Sequence, residues 1–148
     1  MEIRLAEPRD LDGWMELVDK VKDSFPGLET KEELDAHRKT VQDFISRGEA
    51  VCAKDGDRVT GALLFSKENR MLCFLAVDPV CRRQHIAENM VSLMLTGMDS
   101  AEEITVTTYR EGVPEGIAAR AFYKRLGFAE GRLTEEFGSP VQEFVWKR

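Results

Sequence analysis

Leu72-Cys73-Phe74-Leu75-Ala76-Val77 is an apolar run that passes through Asp78-Pro79-Val80-Cys81 into Arg82-Arg83-Gln84-His85-Ile86-Ala87, where an amphipathic pattern takes over. Residues of these types in this order build an anion site. Ile86, Met90, Leu93 and Met94 recur at helical spacing, so a helix packs one face on a sheet and leaves its N-terminus open. The first amides of a helix lack partners within it and lie at the positive end of its dipole, which suits a phosphate or pyrophosphate. Arg82 and Arg83 stand beside those amides and add charge-assisted donors; with no ligand they would be a solvated basic pair. Pro79 supports the break between strand and helix, because it lacks an N–H and restricts the residue before it.

The remaining sequence must supply the elements that hold this turn. Alternation over residues 3–6 predicts a strand, and Asp10 is the expected N-cap of a helix marked by Leu11, Trp14, Leu17, Val18 and Val21. Phe25-Pro26-Gly27 ends that helix. Thr30-Lys31-Glu32-Glu33 reads as a capping box opening a second helix through Leu34, Val41, Phe44 and Ile45, closed by Gly48, with His37 as a surface residue. Residues 50–54 and 59–66 alternate about Asp55-Gly56-Asp57 as a β-hairpin, and 71–77 follow as another strand. A helix over 83–98, a strand over 104–108, a helix over 115–126 and strands over 128–133 and 141–146 complete the pattern. The order β-α-α-β-β-β-α-β-α-β-β describes a mixed α/β domain with a central βαβ crossover.

A length of 148 residues suits one domain, and 43% hydrophobic with 32% charged residues is ordinary for a globular chain. The net charge of -6 argues against a nucleic-acid partner and mildly favours a cationic, amine-bearing substrate. The N-terminus lacks the apolar core of a signal peptide and no run is long enough to span a bilayer, so the expected location is cytoplasmic, with no membrane partner. Cys52, Cys73 and Cys81 form no C-x-x-C pair and have no His at ligand spacing, which argues against a metal site and a disulfide scaffold. Cys73 reads as a buried thiol within an apolar strand. Cys81, beside two arginines and a helix N-terminus, is open between a packed thiol and a reactive one.

The segment Arg82 to Ala87 resembles motif A of the GCN5-related N-acetyltransferases (GNAT), Q/R-x-x-G-x-G/A, which wraps the pyrophosphate of acetyl-coenzyme A; His85 stands where the family prefers glycine. Ala119-Arg120-Ala121-Phe122-Tyr123-Lys124-Arg125-Leu126-Gly127-Phe128 resembles motif B, A-x-x-F/L-Y-x-x-x-G-F, and Gly116 stands where the family often has asparagine. The element order is also the family's, so the resemblance covers nearly the whole chain. It implies one N-acetyltransferase domain over 1–148 with a GNAT-like (acyl-CoA N-acyltransferase) α/β fold, a mixed, mostly antiparallel sheet flanked by helices.

By the same resemblance, backbone groups of Leu75, Ala76 and Val77 bind the pantetheine arm, while Arg82, Arg83, Gln84, His85, Ile86 and Ala87 hold the pyrophosphate. Arg120 either reaches the coenzyme phosphates or is a solvated helix residue. Tyr123 meets the coenzyme sulfur and acts as general acid, and its alternative is one more aromatic on a packing face. No residue announces itself as the base. Glu68 and Glu111 are the carboxylates expected near the mouth of the cleft, although each reads better as a solvated turn residue. The acceptor pocket would come from the variable segments 25–32, 109–115 and 131–140. The implied reaction is direct transfer of an acetyl group from acetyl-coenzyme A to a small-molecule or peptide amine. The competing readings are a noncatalytic acyl-coenzyme A sensor with the same slot and an unrelated phosphate-binding α/β protein. An exposed C-terminal strand leaves room for a homodimer.

Overall fold

The computed structural model describes every residue except Pro26 and Arg83. In chain order the elements are β1 (Glu2–Leu5), α1 (Leu11–Val21), α2 (Lys31–Ser46), β2 (Ala50–Asp55), β3 (Arg58–Ser66), β4 (Met71–Val77), α3 (Ile86–Gly97), β5 (Glu103–Tyr109), α4 (Ile117–Arg125), β6 (Ala129–Glu136) and β7 (Ser139–Lys147). Among the described residues seven strands form one sheet in the order β1-β2-β3-β4-β5-β7-β6, antiparallel at every junction except β4–β5. The C-terminal strand is therefore interior, between β5 and β6, and the free edges are β1 and β6.

Period-two alternation divides the core between the two faces of the sheet. Val51, Ala53, Leu63, Phe65, Leu72, Ile104 and Val106 pack with Ile86, Met90 and Met94 of α3 and Tyr123 of α4. On the opposite face Ala50, Cys52, Ala62, Leu64 and Ala76 pack with Trp14, Leu17 and Val18 of α1 and Val41 of α2. None of the described residues in this second core comes from β5, β6 or β7, so α1 and α2 leave that half of the sheet uncovered.

The Thr30 capping box is formed: the Thr30 hydroxyl accepts from the Glu33 N–H at 3.1 Å, and the Glu33 carboxylate accepts from the Thr30 N–H at 3.0 Å. Asp10 departs from expectation. It does not cap α1 with its side chain; its buried carboxylate takes Arg4 at 2.7 Å, Lys54 at 2.9 Å and the Glu7 N–H at 2.8 Å. His37 departs too, for its ring is partly buried against Phe74 and its Nε2 accepts the Trp14 indole N–H at 3.3 Å. Helical spacing shows only that His37 is off the main apolar stripe, not that a tryptophan from another helix needs an acceptor there.

Burial lowers the His37 pKa from 6.5 to about 4. The unfolded chain then binds an extra proton between these values, so stability is full above pH 6.5 and declines as the pH falls to about 4. The linked loss is about 3 kcal/mol. Urea titrations between pH 7 and pH 4 should show that slope, and His37→Gln should flatten it; a parallel decline in the variant would place the acid sensitivity elsewhere.

Candidate functional site

Parallel β4 and β5 pair only at Met71 and Thr105, where the Thr105 N–H donates to the Arg70 carbonyl at 3.0 Å, and beyond that point they diverge. A β-bulge helps to open the gap. Leu64 lies opposite Phe74 and Phe65 opposite Leu72, so Cys73 is an extra residue that bends β4 and increases its twist. It also makes Cys73 exposed rather than buried, because an unpaired bulge residue interrupts the alternation that the apolar run suggested.

Hydrogen-bond alternation decides which backbone groups face the gap. The Asp78 N–H donates to Thr60 O at 2.8 Å, so Asp78–Thr60 and, two residues back, Ala76–Ala62 are the bonded pairs of β4 with β3. Leu75 and Val77 therefore turn their N–H and C=O groups into the gap. Ala76 does not: its backbone is engaged with Ala62 and its side chain is buried under α1 and α2. From the other side, Thr105, Thr107 and Tyr109 turn their backbone groups toward β4.

The N-terminus of α3 stands at the open end of this gap. The helix begins at Ile86, later than the expected residue 83, because His85 adopts a left-handed conformation with φ 59°. That conformation is the one glycine takes freely and other residues take at a cost of about 1–2 kcal/mol. Here a histidine keeps the glycine geometry, with its exposed ring turned to Glu88 at 3.0 Å. Among the described residues no side chain caps the helix, and its first ladder bond is Asn89 N–H to His85 O at 3.0 Å, so the Ile86, Ala87 and Glu88 amides precede the ladder. Gly61 of β3 sets the height of this turn: a Cβ there would lie 2.8 Å from Ile86 Cγ2 and from Met90 Cε.

Arg82 and Gln84 are exposed in the turn before α3, and the Arg83 assignment lies outside the described residues. Asp78 ties the turn down, accepting from the Val80 N–H at 3.0 Å and from Lys20 at 2.9 Å. Burial works against its charge, but those two donors hold its carboxyl below the usual range. Cys81 is a packed thiol, buried with the Arg58 guanidinium at 3.5 Å.

Tyr123 lies in the core on the α3/α4 face. Its ring is 5.6 Å from that of Phe128 and 6.3 Å from that of Phe144, and Phe144 is the cross-strand neighbour of Val106 in β5. Among the described residues its hydroxyl has no hydrogen-bond partner, and burial pushes its pKa well above the usual phenol value, so it stays protonated at neutral pH.

Arg120 points inward. Its buried guanidinium donates to Tyr109 O at 2.9 Å and Gln142 Oε1 at 2.8 Å, which joins α4 to β5 and β7 instead of extending to the α3 N-terminus. Glu68 lies in the β3–β4 turn, at the paired end of β4 and β5 and away from the gap, whereas Glu111 follows β5 at the open end and is exposed.

Gly116 has a steric cause, since a Cβ there would lie 2.4 Å from Tyr109 Cβ. Tyr109 occupies the space that an asparagine would need. Gly116→Asn alone should therefore destabilise by about 1–3 kcal/mol, and less when combined with Tyr109→Gly, which removes the clashing Cβ. A urea-denaturation double-mutant cycle measures this; purely additive losses would remove Tyr109 as the cause.

Two features escaped the sequence reading. The Thr107 hydroxyl bonds the Glu136 carboxylate, and the Tyr109 hydroxyl donates to Ser24 O at 3.0 Å, both on the face left open by α1 and α2. Partners separated by 29 and 85 residues leave no local pattern to read. Among the described residues no group of three or more His, Cys, Asp or Glu is placed to hold a metal ion.

A family model described as the acetyltransferase (GNAT) family matches residues 14–128. No curated protein matches the chain. Similar solved structures include a GNAT-family acetyltransferase from Bacillus cereus ATCC 10987, with TM-score 0.77 and 20% identity over 99% of this chain and 96% of that one. An N-acetyltransferase from Staphylococcus aureus Mu50 has TM-score 0.76 and 18% identity, covering 98% of this chain and 100% of its own. The PaiA N-acetyltransferase from Thermoplasma acidophilum, in complex with coenzyme A, has TM-score 0.73 and 16% identity, covering 99% and 98%. At these identities the likeness is one of fold.

Proposed function

The chain belongs to the GNAT acetyltransferase family, and from that premise we propose that it is an N-acetyltransferase moving an acetyl group from acetyl-coenzyme A directly to a primary amine. The single β4–β5 pair, with free backbone beyond it and an uncapped helix start beside it, carries this reading. The coenzyme A complex of the Thermoplasma neighbour supports an acyl-coenzyme A donor.

The residues present fit that donor. Leu75 and Val77 offer N–H and C=O groups with which an extended pantetheine arm can pair as an added strand does. The Ile86 and Ala87 amides, with exposed Arg82 in the turn before them, suit the pyrophosphate. Acetyl-coenzyme A supplies, when bound, an activated acetyl thioester. Tyr123, kept neutral by burial, gives its hydroxyl proton to the departing sulfur and regains one from solvent.

The acceptor is a small-molecule or peptide amine, and nucleic acid and membrane are not partners in this reading. No described helix is long and apolar enough to cross a membrane, and we place the protein in the cytoplasm. A homodimer, if formed by strand addition, would use β1 or β6, the free edges.

The test is calorimetric titration with acetyl-coenzyme A, with ATP as control, followed by thiol release in the presence of primary amines. Specific binding and amine-dependent thiol release support the enzyme. Binding without release would make the chain an acyl-coenzyme A sensor, and failure of folded protein to bind would remove the reading altogether.

A further inference from the structure

We propose that Glu136 receives the ammonium group of the acceptor and takes its proton, with Thr107 as the residue that positions it; this rests on the N-acetyltransferase reading above. Thr107 lies just past the last β4–β5 pair, and its backbone groups face the gap. Its neighbours Ile104 and Val106 are buried on the α3/α4 face, so the Thr107 side chain is on the opposite one, where it bonds Glu136. Tyr123 packs against Phe144, the cross-strand neighbour of Val106, and Glu136 bonds Thr107 on the opposite face, so a proton donor and a proton acceptor lie on the two faces of the sheet beside adjacent residues of β5.

The electrostatics favour a cation beside Glu136. Buried Asp10, Glu49 and Asp78 each have a Lys or Arg partner, and Glu143, opposite Thr107, has Arg132 at 3.5 Å. Among the described residues Glu136 has none, although it is partly buried and its one side-chain partner is a neutral hydroxyl. An incoming ammonium supplies the counter-charge that Glu136 lacks among the described residues.

The surroundings limit what can bring the ammonium in. The β6–β7 turn crosses toward the segment after α1: a Cβ on Gly27 would lie 3.5 Å from three atoms of the Phe137 ring, and Tyr109 is bonded to Ser24 O. Phe137 beside Gly27 and Tyr109 beside Ser24 thus flank Glu136 on this face, which favours a slender amine over the side of a folded protein.

The ammonium loses one proton to the Glu136 carboxylate, which passes it to solvent. The freed nitrogen lone pair forms the N–C bond as the C–S bond breaks and sulfur takes the Tyr123 proton; the nitrogen then loses its second proton to solvent, from which Tyr123 regains one. One proton is released overall.

The experiment compares the parent chain with Glu136→Gln, Thr107→Val and Thr107→Ser, using 2-phenylethylamine, 1,4-diaminobutane and glycinamide as acceptors. Acetyl-coenzyme A affinity is measured separately by calorimetry. Glu136→Gln should keep that affinity and lose about 10²-fold or more in kcat/KM for the amines, the scale of one acid–base group. Thr107→Val should lose about tenfold and Thr107→Ser should restore the rate, a rescue that follows the hydroxyl and not the fold. A Glu136→Gln rate within threefold of the parent, at less than about 1 kcal/mol in barrier, overturns the inference and leaves the acetyltransferase reading intact. If that variant fails to fold, an undiminished Thr107→Val rate overturns it instead. A parent that binds acetyl-coenzyme A but acetylates none of the amines overturns both.

Discussion

Tyr123→Phe should lower acetyl transfer by about 10²-fold, the low end of what a positioned acid contributes, while acetyl-coenzyme A affinity stays unchanged. The reason is the contrast between the ring and its hydroxyl. The ring is core, packed with Phe122, Phe128 and Phe144, and phenylalanine keeps all of that. The hydroxyl has no partner among the described residues and is held in its protonated form by burial. Because phenylalanine keeps the ring packing, stability should change by less than about 1 kcal/mol. Loss of rate together with a nearly level melting temperature identifies a group kept for chemistry. Single-turnover transfer, in which product release does not limit the rate, is the measurement to make; an unchanged rate would reduce Tyr123 to a packing residue.

Asp10→Ala should be the most damaging substitution for stability, costing about 3–5 kcal/mol as removal of one partner from a buried ion pair does. The Asp10 side chain is 0% exposed and serves Arg4 of β1, Lys54 of β2 and the Glu7 N–H together. Without it, two cations near the core lose their counter-charge and the chain entering α1 loses its tie to the sheet. A domain of this size holds about 5–15 kcal/mol in total, so the urea midpoint should fall by a large fraction.

The linked pH effect has a different window from that of His37. Burial opposes the Asp10 charge, but Arg4, the Glu7 N–H and Lys54 hold its carboxyl far below the usual range. Its contribution is therefore complete above an unfolded pKa near 4 and disappears as the pH falls below it. Acid unfolding should show the His37 decline first and the Asp10 decline second. A variant that keeps the parent midpoint would mean that the Arg4 and Lys54 contacts contribute little beyond solvated charges.

Local signals were legible wherever the chain satisfies its own nearby groups. The Thr30–Glu33 capping box, the turn around Gly56 and the strand-to-helix passage at Asp78–Pro79 each join residues two or three apart, so side-chain type and spacing suffice to announce them. The same holds for the apolar stripe that seats α3, where Ile86, Met90 and Met94 meet the sheet as their period requires. Motif position singled out Leu75, Val77 and Tyr123; the backbone groups of Leu75 and Val77 face the gap, and Tyr123 is buried on the α3/α4 face.

Periodicity misled where one residue broke it or where a polar group found a distant partner. The bulge at Cys73 is invisible in an apolar run, and the left-handed His85 shortened α3 by a turn that composition alone would have made helical. Asp10, His37 and Arg120 were read by their own segments, yet each is held by another: Arg4 and Lys54, Trp14, and Tyr109 with Gln142.

The sequence by itself determined the elements, their order and the turn that leads from β4 into α3, because these depend on contacts a few residues apart. Only the tertiary structure decided which backbone groups of β4 and β5 remain unpaired, and that the β6–β7 turn carries Glu136 to Thr107. Both follow from strand pairing and sheet twist, which join residues far apart in the chain and are set by how the whole domain packs.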